Sequence, residues 1–166
     1  PRGAASCSRK GGSVVIMRKT ALLAGLCLLG LGIANARAET TTRVSVNSDG
    51  TQWSLGSSSP SVSDDGRYVA FQASEFTISE YGYPEYSRWD VYIRDTVAGT
   101  TKLVSRGMGG APANNFSRSP SISADGRYVA FASAASNLIP FDLNNAEDIF
   151  LYDARLETLT CVSMSM

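Results

Sequence analysis

The chain has 166 residues, with fifteen Lys or Arg against fifteen Asp or Glu and no histidine. The missing histidine removes Ser-His-Asp triads, papain-like Cys-His pairs and the commonest zinc ligand sets. The zero balance divides unevenly: six basic residues and no acidic one stand before Glu39, so nine Lys or Arg face fifteen Asp or Glu from there on. An acidic body argues against nucleic acid and an anionic membrane surface as partners.

Taken from the start, Arg18 and Lys19 precede an apolar run from Ala21 to Ala34, which is shorter than the roughly 20 residues of a membrane helix. The run ends at Ala36-Arg37-Ala38, a cleavage pattern with small residues on either side of a variable one. Residues 1–38 therefore read as upstream residues and a secretory signal peptide, starting at Met17 and cleaved after Ala38. That reading places the product in the periplasm or outside the cell, with no membrane span after cleavage. Leu26 before Cys27 speaks against lipidation. Cys161 alone remains after processing, and a single thiol in an apolar strand is expected to be a small core residue.

From Thr40 the β-branched run to Val46 predicts a strand, closed by the turn formers Asn47 to Gly50. Ser59 to Phe71 then reads Ser-Pro-Ser-Val-Ser-Asp-Asp-Gly-Arg-Tyr-Val-Ala-Phe, and Ser119 to Phe131 repeats it with two changes. Asp65-Gly66 and Asp125-Gly126 predict hairpin turns, since glycine accepts the positive φ that such turns demand. The strand after each turn is apolar on both faces, which implies a sheet covered on both sides.

A longer connection follows in each copy, 74–88 and 133–147, and then the runs Asp90 to Asp95 and Asp148 to Asp153. A polar turn leads into Lys102 to Ser105 or Leu159 to Ser163, and the pair Val-Ser stands at 44–45, 104–105 and 162–163. Four strands in about sixty residues, without helical periodicity, are the pattern of a propeller blade. The expected fold is all-β: a partial β-propeller of two four-stranded antiparallel blades plus one extra N-terminal strand, over 39–166, with repeats at about 41–105 and 106–164.

These words resemble the WD40-like (PD40) blades of the TolB family, over essentially all of the chain from Thr41 to Ser163. The resemblance implies a blade type and leaves activity open, because propellers serve as binding platforms, accessory domains and enzymes. Two blades do not close a ring, for propellers have roughly four to eight. The expectation is a truncated member, or a fragment of an open reading frame, that completes a propeller only by adding blades from another chain, self-association included.

Asp142, Asn144 and Asp148 form the best ligand-like cluster, with oxygens suited to calcium, the one cofactor the sequence suggests. The resemblance implies Asp-x-Asn-Gly at this place, from which Asn145 departs; an Asx-type turn is the alternative. Asp90, Asp95, Asp148 and Asp153 recur at one spacing, which favours a structural role over catalysis. Tyr81, Tyr83, Tyr86 and Trp89 make an unrepeated aromatic loop suited to a partner surface or, alternatively, to covering a blade edge.

The functional expectation is an exported, non-catalytic binding or scaffold module that mediates protein interactions in the cell envelope. The alternative is an envelope enzyme or accessory propeller domain acting on glycans or peptides, stabilised by calcium.

Overall fold

The computed structural model describes residues 17–19, 40–74, 76–78, 84–86, 88–144 and 146–163. The apolar run read as a signal core, and the cleavage pattern after it, lie outside the described residues. Among the described residues no helix is long and apolar enough to cross a membrane.

Two four-stranded antiparallel sheets carry the fold, and each is a meander in which consecutive ladder strands are neighbours. The first blade is β3 (Gly56–Val62), β4 (Tyr68–Ser74), β7 (Asp90–Asp95) and β8 (Thr100–Leu103). The second is β9 (Ser117–Ile122), β10 (Tyr128–Ser133), β11 (Asp148–Asp153) and β12 (Thr158–Cys161). The extra N-terminal strand is β2 (Thr40–Thr42), which pairs with β1 (Met17–Lys19). It is shorter than the run to Val46 predicts: beyond Thr42 the chain leaves the ladder and makes an isolated bridge, Val46 to Gln52. Arg106 and Pro112 form the matching bridge sixty residues on, ahead of the second blade. The connection after β4 also differs from expectation, because Phe76–Ile78 (β5) and Pro84–Tyr86 (β6) pair as a small hairpin.

The repeated words produce repeated backbone. Gly66 and Gly126 take φ of 69° and 73°, and each donates its N–H to the serine three residues earlier, at 2.9 Å in both blades. The connection is thus a five-residue hairpin with glycine in the left-handed region, longer than a two-residue turn. In each Ser-Pro-Ser the first serine has positive φ, 52° at Ser59 and 54° at Ser119, and a register shift falls there in both ladders. This is a β-bulge on an edge strand, where the following proline, lacking an N–H, is tolerated.

The core lies between the blades. Ala70, Val91, Ile93 and Val104 of the first pack against Val129, Phe131, Phe150 and Tyr152 of the second, with Phe131 stacked on Phe150 at 5.7 Å. On the other side of the first blade, Trp53 lies 4.3 Å from Tyr92 and 6.4 Å from Phe71, so residues ahead of β3 cover that face. Cys161 is half-buried against the inter-blade core, where a small apolar residue is expected.

Four backbone donors tie the blades directly: Asp64 N–H to Ala124 O at 2.9 Å, Ser117 N–H to Trp89 O at 2.8 Å, Ser119 N–H to Gln72 Oε1 at 3.0 Å, and Ile122 N–H to Ser61 Oγ at 3.1 Å. Gly126 sits so closely on the Tyr68 ring that a Cβ there would lie inside van der Waals contact. Gly50, with φ of 86°, faces open space. Gly126→Ala is therefore expected to cost roughly 3 kcal/mol, from left-handed strain plus overpacking, and Gly50→Ala only about 1 kcal/mol from strain alone. Urea denaturation of the two variants checks this; equal losses would show that the Tyr68 contact is unimportant.

Candidate functional site

At the turn end of the blades the charged side chains are engaged in holding backbone. Asp65 Oδ1 accepts the Ser63 hydroxyl at 2.6 Å and Arg67 N–H at 2.9 Å; Asp125 accepts Ser123 at 2.5 Å and Arg127 at 3.1 Å. Arg67 and Arg127 then fork onto Asp95 and Asp153, at 2.7 and 2.8 Å, and lie over the neighbouring Tyr68 and Tyr128 rings. Asp95 also accepts the N–H groups of Val97 and Ala98, and Asp153 those of Arg155 and Leu156. The arginine forks, aided by these N–H bonds, hold both carboxyls down to about 2. A cleft of about 470 Å³ opens here, lined by Tyr68, Ile93, Asp95, Lys102, Arg127 and Arg155 among others. Lys102 spans the two blades to Glu157 at 2.6 Å. Carboxylates this strongly held as anions are poor proton donors and acceptors near neutral pH.

Start residues of the third strands play a second structural part. Ser105 donates its hydroxyl to Asp90 at 2.6 Å and accepts Val91 N–H at 3.0 Å. Ser163 does the same with Asp148, 2.6 Å, and Ile149 N–H, 2.9 Å. The serines of the second and third Val-Ser pairs are plugs in aspartate sockets, which lock the outer strand onto the strand beside it. Burial raises the Asp90 carboxyl to about 6, against the opposing pull of the Ser105 hydroxyl and the Arg88 charge.

The opposite end carries the long connections and most of the predicted site residues. Asp142, Asn144 and Asp148 come together around a depression of about 300 Å³, with Ile139, Phe141, Leu143 and Ser163. Asn144 Oδ1 accepts Ala146 N–H at 2.8 Å, an Asx turn, and its amide donates to Asp148 at 3.1 Å. The cluster thus holds two carboxylates, Asp142 and Asp148, beside an asparagine that shapes the turn. Among the described residues no group of three His, Cys, Asp or Glu side chains is placed to hold a metal.

Of the aromatic candidates, Tyr81 and Tyr83 lie outside the described residues and Tyr86 is in β6. Trp89 is half-buried, and its carbonyl belongs to the inter-blade join. Sequence reasoning passed over Phe141 and Leu143, which are 90% and 82% exposed on the rim of the depression. The signal was present as two large apolar residues between Pro140 and Asn144, in a segment with no strand pattern.

Comparison with protein-family models and with curated proteins gave no match to this chain.

The raised Asp90 carboxyl makes a signed prediction. Its stabilising contribution is present in full below the unfolded value, near 4, and is lost as pH rises through about 6. Asp95 and Asp153 act oppositely, adding stability above about 4 that is lost as pH falls toward 2. Asp90→Asn keeps an acceptor for Ser105 and removes only the first effect. Wild type should lose on the order of 2 kcal/mol relative to this variant between pH 4 and 7, read from urea denaturation at each pH. Parallel stability curves would rule out a buried, titrating Asp90.

Proposed function

We propose that the chain is an exported β-propeller-type binding or scaffold module of the cell envelope, holding protein partners without catalysing a reaction. The observation that carries this reading is the exposure of Phe141 and Leu143 beside a depression at the long-loop end. Two large apolar side chains held out from one short segment cost free energy in water, and such anchors recover it by entering a partner's pocket. The polar residues that recur in both blades support the same reading, since each is committed to a turn, a fork or a plug. Export rests on the basic pair, the apolar run and Ala36-Arg37-Ala38.

A photo-cross-linking residue in place of Phe141, expressed in the native cell, tests the proposal. It should capture one discrete envelope protein, whereas the same residue in place of exposed Ala98, on the far turn, should capture none. Phe141→Ser with Leu143→Ser should reduce capture of that protein by roughly tenfold or more while leaving the thermal melt in place. Absence of a discrete product from position 141, or equal products from both positions, would overturn it.

A further inference from the structure

We propose that the outer face of the second blade docks a second copy of this chain, which sets its first blade there as the second blade is set on the first within one chain. The two blades hold equivalent residues in different surroundings. Val91 and Val104 are 0% exposed because the second blade covers them; their counterparts Ile149 and Val162 are 42% and 55% exposed. Ala70, fully buried, likewise has half-buried Ala130 as its counterpart.

On the first blade the complementary surface is open along β3. Pro120 is buried and Ile122 is packed on the inter-blade core, whereas Pro60 is exposed and Val62 is 49% exposed. One chain thus presents both halves of a join it has already made once internally. Because the halves differ, the contact is head-to-tail and each copy leaves a further pair of faces open until a ring closes.

The polar pins recur as well. Ser121 is exposed where Ser61 receives the Ile122 N–H, so it can accept the N–H of Val62 from the second copy. Gly66 is placed to meet Tyr128 as Gly126 meets Tyr68. Two pins are lost: Ala132 replaces Gln72, which accepts Ser119 N–H at 3.0 Å, and Thr160 replaces Lys102 of the cross-blade ion pair. The intermolecular join is therefore weaker than the internal one and depends on concentration.

Residues 158–163 of one copy and 40–45 of the other are the same part of the repeat, each ending in Val-Ser, and they contend for one place beside β11. Docking exchanges the first for the second, with Ser45 entering the Asp148 socket that Ser163 leaves. The chain has three plugs for the two sockets at Asp90 and Asp148.

Sedimentation velocity of the full chain across the micromolar range tests this. Wild type should gain mass with concentration in whole multiples of the chain. Ile149→Glu, on the receiving face, and Val62→Asp, on the inserted face, should each weaken association roughly tenfold or more. Mixing the two variants should restore a 1:1 complex, since each keeps the face the other lacks, and that recovery also shows that both are folded. Val162→Asp should associate as well as wild type, because its segment leaves on docking. A chain that stays monomeric, a mixture that does not pair despite unchanged thermal melts, association indifferent to both face variants, or a loss from Val162→Asp as large as that from Ile149→Glu would overturn the proposal.

Discussion

Burial of one blade's face against the next is the constraint on which everything else in this chain depends. A single four-stranded antiparallel meander with apolar residues on both faces has no way to hide both, and it becomes stable only when each face has a neighbour. Val91, Ile93 and Val104 meet Val129, Phe131 and Phe150 for that reason. Residues ahead of β3, Trp53 above all, do the same for the far side of the first blade. Repeat proteins draw their stability from such nearest-neighbour contacts, so the interface carries as much of the fold as the sheets themselves.

Polar residues then decide register, a task that apolar stacking performs poorly because it has no direction. Six side chains do this in each blade: a serine and an aspartate close the hairpin, an arginine ties it to the aspartate at the end of the third strand, and an aspartate socket receives the outer strand's serine. The forks are partly exposed and contribute modestly to stability. Their value is geometric, since each joins a turn to a strand end roughly thirty residues away. This is why the repeated charges lie at blade ends and why reading them as catalytic is unrewarding.

How much of this was legible in the sequence follows from the range of each interaction. Alternation and the Asp-Gly pairs are local, and they place the ladder strands and the left-handed glycines. The β5–β6 hairpin was missed because Phe76-Thr-Ile78 is too short to stand out and Pro84 reads as a breaker. The socket was invisible for a different reason: Val-Ser was recognisable as a recurring word, but its partner aspartate is fifteen residues away across a strand pair. Asp142 and Asn144 attracted attention as ligand chemistry, and the apolar residues between and before them, Phe141 and Leu143, were overlooked.

Near-identical sequence in unlike surroundings separates what a residue is from what its neighbour does. Val91 and Ile149 start the same strand of the same unit, follow the same socket aspartate and differ by one methylene group, so their own chemistry does not explain why one is sealed and the other open. The difference measures the missing neighbour. The same holds in reverse for Pro60 and Pro120, and these two discrepancies fall on opposite sides of the stack. An isolated exposed isoleucine is ordinary on any protein surface. An exposed isoleucine whose repeat partner is fully buried is different, and that contrast is the ground of the docking we propose.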